Sequence, residues 1–308
     1  MKKLKFLRVL VASIVFITIS LQFFDVYNYL PESYYSSGVL QTQFMPSLMS
    51  MLAYSSIIMG GAFIVFSILA LLVGRLYCSF ICPFGILMDI FRYIATIPAR
   101  SKFLNNTKLG KFVKKKFYFL KYEKSYTITR GIFLGLAILF IAFGFGSLLG
   151  FIDPYSLYGK IFATTLHPLN SEITTFVSTT LYSFEVYSVD PALGYSGVSI
   201  VSFSIALAIL IVIAIASAVR GRIYCNTVCP VGAFLGLLSR FSLFKLSIDK
   251  EACKLCGMCE RGCKAQCIDA KNKHIDNSKC VLCFNCAKQC HKNAIKFEYR
   301  YKKGKDNE

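Results

Sequence analysis

The sequence predicts an α-helical membrane protein with a small, cysteine-rich α+β domain after its last long helix. Three observations carry that expectation. Of 308 residues, 55% are hydrophobic and 17% charged, and the mean hydropathy is +0.55, unlike an ordinary soluble domain. Four stretches, 7–24, 52–73, 131–152 and 198–219, are long and apolar enough to cross a bilayer, which takes about 20 residues each. There are 13 cysteines, and most of them follow the fourth stretch.

The basic residues set the expected orientation. Lys2, Lys3, Lys5 and Arg8 precede the first apolar stretch, and no small-x-small cleavage site follows it. An uncleaved first helix with its N-terminus inside is expected. Between the second and third stretches lie Arg92, Arg100, Lys102, Lys108, Lys111, Lys114, Lys115, Lys116, Lys121, Lys124 and Arg130. No Lys or Arg stands between Leu21 and Leu72, and only Lys160 lies between the third and fourth stretches. Segment 161–181, with Pro168, Asn170 and several threonines, reads as an outside loop with some interfacial helix. Because Lys and Arg concentrate on the cytoplasmic side, the chain is expected to be multi-pass in the cytoplasmic (inner) membrane. Both termini and all the cysteine motifs then face the cytoplasm. The net charge of +19 flanks apolar spans, so membrane lipid, not nucleic acid, is the expected partner of those charges. A reducing compartment disfavours disulfides and favours metal clusters.

The tail carries the most specific motif. "CKLCGMCERGCKAQC" starts at Cys253 and "CVLCFNCAKQCH" at Cys280. Each contains C-x2-C-x2-C-x3-C, the spacing of bacterial two-cluster ferredoxins, in which the fourth cysteine of a run ligates the other cluster. Three close thiolates wrap three corners of a cubane, and the partner run reaches the fourth. One [4Fe–4S] cluster is therefore expected on Cys253, Cys256, Cys259 and Cys290, and the other on Cys280, Cys283, Cys286 and Cys263. A pair of zinc knuckles is the competing reading, but zinc sites usually space two pairs of ligands apart. The expected domains are a membrane part (1–245), a ferredoxin-like α+β domain with two clusters (246–298) and a charged tail (299–308). Lys264 and His291 stand where the ferredoxin pattern has proline, and Cys267, a ninth tail cysteine, reads as a packing residue.

A second pair of motifs adjoins the membrane. "GRLYCSFICPFG" spans Gly74 to Gly85, and "GRIYCNTVCPVG" spans Gly221 to Gly232. Pro83 and Pro230 favour the first turn of a helix, which places Cys82 and Cys229 at helix N-termini, with short interfacial helices beyond. A helix N-terminus favours a thiolate. Arg75 and Arg222 either add to that effect or anchor the helix ends inside. The chain thus reads as two parallel repeats of helix, outside loop, helix and C-x3-C-P. An axis along the membrane normal would gather Cys78, Cys82, Cys225 and Cys229 into a further iron–sulfur centre. A thiol switch, or structural thiols facing the tail, are the alternatives.

In this combination the chain resembles the NapH-type membrane ferredoxins and the related C-terminal half of NosR-type proteins. The resemblance covers nearly the whole chain, from about Leu7 to Phe297. It implies four membrane helices and electron transfer linked to the quinol pool, often toward a partner subunit of an oxidoreductase. Quinone is then a possible ligand, and redox partner subunits are expected. A redox-sensing or metalloenzyme-assembly membrane ferredoxin is the other function considered. No Gly-rich dinucleotide fingerprint and no Walker loop occur, so neither NAD nor ATP is expected to bind. His167, His274 and His291 are the only histidines, too few and wrongly placed for a membrane-embedded bis-histidine haem.

Overall fold

The computed structural model describes residues 2–24, 42–100, 111, 119–183 and 199–299. Most of the basic linker and residues 300–308 of the charged tail lie outside the described residues. The part before the cysteine-rich tail is helical. Two helices, α1 (Lys2–Phe24) and, further along, Ile200–Arg220, are long and apolar enough to cross a membrane. On these two helices Ile14, Ile17, Ile200, Val212 and Ile215 point outward and are more than half exposed.

The other two apolar stretches are divided. The region 52–73 becomes the end of α2 (Phe44–Tyr54) and α3 (Gly61–Leu72), separated where Ser55 turns left-handed. At 1.5 Å per residue α3 is about 18 Å long, short of the ~30 Å hydrocarbon layer. The region 131–152 becomes α6 (Thr127–Ala142) and the single turn α7 (Gly146–Leu149). Gly144, at φ +73°, breaks it with a conformation that glycine adopts freely. Between these pairs come α4 (Tyr77–Phe80) and α5 (Pro83–Arg100).

Segment 161–181, expected to be an outside loop with some interfacial helix, lies wholly within α8 (Pro154–Tyr182), one continuous helix of 29 residues. The Asp153 side chain accepts from the Ser156 N–H at 2.7 Å, and Pro154 occupies the first turn, which together start the helix. Its polar residues do not end it, because the hydroxyls of Thr164, Ser178, Thr179 and Thr180 donate to carbonyls three or four residues back. It packs on α1 and on α9 (Ile200–Arg220).

The repeat is crossed in space. After α9 come α10 (Ile223–Thr227) and α11 (Pro230–Ser239), matching α4 and α5 of the first copy. Pro83 and Pro230 each open their helix, as the motifs predict. Helix α3 of one copy packs on α11 of the other, and α9 packs on α5. The two arginines reciprocate: Arg75 Nη2 donates to the Cys225 carbonyl at 2.8 Å, and Arg222 Nη1 to the Cys78 carbonyl at 2.5 Å. The invariant geometry explains one glycine pair within the motifs. A Cβ on Gly85 would stand 2.5 Å from the Cys78 carbonyl oxygen, and one on Gly232 would strike the Cys225 carbonyl oxygen.

The tail domain closes on a two-stranded sheet. Strand β1 (Phe244–Ile248) pairs antiparallel with β4 (Ile295–Tyr299), with Leu246 opposite Phe297. Between them, β2 (Ile268–Asp269) pairs with β3 (His274–Ile275). The one-turn helices α12 (Met258–Arg261) and α13 (Asn285–Gln289) carry the third cysteine of each run, Cys259 and Cys286.

Candidate iron–sulfur site

Each cysteine run winds the same way. Leu255 and Gly257 in the first run, and Leu282 and Phe284 in the second, have positive φ at matching positions. Left-handed residues bend the backbone sharply, so each run curls around a hollow instead of extending past it. One hollow, about 180 Å³, is lined by Cys253, Cys256 and Cys259 of the first run and by Cys290 of the second. The other is lined by Cys280, Cys283 and Cys286 of the second run and by Cys263 and Cys267 of the first. It is closed down to about 10 Å³, and the Sγ atoms of Cys263 and Cys267 lie 3.4 Å apart at its wall. The structure thus brings together the cysteines that the spacing groups, and it adds Cys267 as a fifth thiol. Ile248, Ala270 and Ile295 line the first hollow, and Leu246, Ile268 and Ile275 the second. The donor sets and the apolar walls suit cubane iron–sulfur clusters, and of the two hollows the first is the open one. Among the described residues no three His, Cys, Asp or Glu side chains converge as a single-ion site does; the thiols stand around hollows instead.

The two hollows differ in depth. Cys256 is exposed, and Cys253 and Cys290 are half-buried. Cys263, Cys280, Cys283 and Cys286 are all buried, and their hollow lies toward the helical part. There the Ser278 carbonyl accepts from Arg75 Nη1 at 3.2 Å, and Lys279 Nζ donates to the Glu123 carbonyl at 2.6 Å.

Cys78, Cys82, Cys225 and Cys229 are all buried in one core, each 3–4% exposed. They are close enough to oppose one another's ionisation. Burial first, and neighbouring thiols second, push Cys82 and Cys229 well above the usual thiol range. The helix N-terminus, expected to favour a thiolate, works against that burial. The N–H of Gly232 does donate to Cys229 Sγ at 3.3 Å, but desolvation outweighs that bond. A metal ion among the sulfurs would favour their deprotonation. Cys225 Sγ also lies 3.7 Å from Met88 Sδ.

Two fully buried guanidinium groups flank this quartet, and they are balanced differently. Arg222 pairs with Asp89, through Nε to Oδ1 at 3.0 Å and Nη2 to Oδ2 at 2.8 Å. Arg75 donates to the Asn226 side chain at 2.7 Å and to carbonyls, and lies 3.9 Å from Cys78 Sγ. It forms no ion pair with a carboxylate among the described residues, and its Nε has no partner.

Asp89 was not singled out in the sequence. Besides Arg222, its Oδ2 meets Arg8 Nη2 at 2.5 Å and Lys264 Nζ at 3.1 Å. Burial alone would raise its pKa, but Arg222, Lys264 and Arg8 more than reverse this and hold the carboxyl far below its usual range. The one available signal was an acid set among Phe84, Leu87, Ile90 and Phe91 on an otherwise apolar helix. Lys264 also gains a role in place of the expected proline. Its ammonium reaches Asp89, and its carbonyl accepts from the Arg222 N–H at 3.0 Å.

Residues 52–117 and 203–249 match the family described as a 4Fe-4S binding domain. Those segments contain the C-x3-C-P cysteines and stop before Cys253. The chain is 38% identical over 71 residues to an uncharacterized protein of Methanocaldococcus jannaschii, covering 23% of this chain and 29% of that one. It is 48% identical over 46 residues to the methylamine utilization ferredoxin-type protein MauN of Paracoccus denitrificans, covering 15% of this chain and 16% of that one. The chain spans less than a third of the length of these curated relatives. No solved structure matches it. With the cysteine geometry, the two sequence matches support an iron–sulfur protein of the ferredoxin type.

Proposed function

We propose that this chain is a membrane-bound electron-transfer protein of the NapH type. In this reading it holds two cytoplasmic [4Fe–4S] clusters and relays electrons between the quinone pool or a membrane partner and a redox partner subunit. One observation carries it: each hollow takes three thiols from one cysteine run and at least one from the other. Cys253, Cys256, Cys259 and Cys290 hold the first cluster, and Cys280, Cys283, Cys286 and Cys263 the second. When bound, such clusters supply one-electron transfer. The chain's part is to hold the thiolates, keep water out with apolar walls and fix the order of stations. The first site, with Cys256 exposed, faces a soluble partner, and the second, buried, faces the membrane part.

In the same reading four membrane crossings are built from α1, α9 and the broken apolar pairs, with the cysteines on the cytoplasmic side. The quartet of Cys78, Cys82, Cys225 and Cys229 holds a third, anionic centre next to the membrane. The buried charge of Arg75, without a carboxylate, favours a net negative group beside it.

Quantifying iron and sulfide in anaerobically purified protein tests both levels. Two tail clusters require about eight of each, and a third raises the count to about twelve. C225S/C229S lowers the count by about four if the quartet binds a cluster, and leaves it unchanged if it does not. Reduction of the clusters by a quinol analogue in membranes is expected; clusters that form but ignore quinol exclude the quinol link.

A further inference from the structure

Where the start of α1 and the outer half of α5 meet the tail domain, the structure contains a cavity of about 600 Å³. Lys5, Arg92, Arg261, Lys264 and Lys288 stand in its wall together with His291, and among the described residues no Asp or Glu does. Lys264 is engaged with Asp89, and Arg92 donates to the Ala218 carbonyl. Lys5, Arg261 and Lys288 form no ion pair among the described residues. A concave wall of one sign focuses its field and attracts counter-charge. Thr96 and Asn285 add neutral hydrogen-bonding groups.

Phe119, Leu120 and Met258 give the cavity wall an apolar share. Leu4 and Phe6, on either side of Lys5, are 43% and 72% exposed. On α5, Tyr93 and Ile94, next to Arg92, are 58% and 54% exposed. A basic hollow with apolar groups in its wall, on helices that also expose apolar side chains, suits an amphiphile with an anionic head better than a fully soluble anion.

We infer that this cavity binds the phosphate headgroup of an anionic phospholipid at the junction between the membrane helices and the tail domain. The ligand would hold the tail domain against the membrane surface. It would also lie close to the first thiol hollow, because Met258 and His291 line both cavities. Negative charge there opposes the addition of an electron, so bound lipid lowers the reduction potential of a centre in that hollow. Only this second effect rests on the cluster assignment above.

The test uses the full chain in neutral detergent, with phosphatidylglycerol, phosphatidylcholine, inorganic pyrophosphate and a polyglutamate peptide as probes. Phosphatidylglycerol is expected to bind the wild type and the control variant K250Q/K254Q/K271Q. It should bind K5Q/R261Q/K288Q roughly a hundredfold more weakly. The exposed single change K288Q is expected to weaken binding roughly fivefold without disturbing the fold. Equal loss in the control variant would mean diffuse charge attraction and overturn the site. Pyrophosphate binding as tightly as the lipid would assign the cavity to a soluble phosphate ester. Polyglutamate bound in preference to both would assign it to an acidic protein partner. A lipid effect on affinity with no shift in potential leaves the site standing and counts against the cluster placement alone.

Discussion

Serine in place of Cys290 is expected to remove the iron centre of the opposite cysteine run, although Cys290 lies 31 residues beyond Cys259 in sequence. Its thiol lines the hollow of Cys253, Cys256 and Cys259, not that of the run to which it belongs. The expected loss is about four iron and four sulfide, one whole cubane, because three thiolates and a hydroxyl hold the cluster poorly. Pairwise changes identify the partners. C253S/C290S should lose no more metal than either single change, since both act on one cluster, whereas C283S/C290S should lose both clusters. The reverse pattern would mean that each run holds its own cluster, and the relay order would fall with it. The mirror experiment at Cys263 must be made as C263S/C267S, because Cys267 Sγ lies 3.4 Å away and can stand in as the fourth ligand. Removing either cluster should also loosen the tail domain, measurable as faster proteolysis. The domain has only two short strand pairs and a small apolar core, and metal binding is a large part of the folding energy of such units.

Those cysteine groupings were legible because thiol spacing reports local geometry directly. The helix starts at Pro83 and Pro230 were legible for the same kind of reason: proline constrains its own backbone and the residue before it. The repeat could be read from the matching residues Gly74 to Gly85 and Gly221 to Gly232. Its crossed packing, α3 on α11 and α9 on α5, could not, because no residue type marks which copy a helix faces. The apolar stretches read at 52–73 and 131–152 are interrupted at Ser55 and Gly144, whose left-handed turns hydropathy does not register. Helix α8 was read as loop with only some interfacial helix because its threonines and serines lowered its hydropathy, while their hydroxyls are satisfied by its own carbonyls. Asp89 escaped for a different reason. Its partners are Arg8, Arg222 and Lys264, far apart in sequence, and Arg8 and Arg222 each have a simpler role as a positive anchor at a membrane edge.

That carboxylate is expected to be the most sensitive single position outside the thiols. Asn at Asp89 keeps the shape but leaves two buried guanidinium groups and a partly buried ammonium without their counter-charge. Removing one partner from a buried pair costs about 3–5 kcal/mol, a large share of the 5–15 kcal/mol that holds a typical domain together. Because the three cations come from α1, from the second motif and from the tail, D89N should release those parts from one another before each unfolds. Loss of protection from protease at the α1 end and next to Lys264, with α9 still protected, would be its signature in detergent. Its pH dependence has a definite sign. The folded carboxyl titrates far below its unfolded value of about 3.9, so its contribution is complete above about pH 4. It fades only as acid protonates the group below that. Between pH 5 and 8 wild type and D89N should therefore differ by a constant margin in thermal unfolding, and the margin should shrink only in stronger acid. A margin that varied through neutrality, or one below about 1 kcal/mol, the range of an exposed pair, would show that the cations find other partners and that Asp89 does not join the membrane part to the tail.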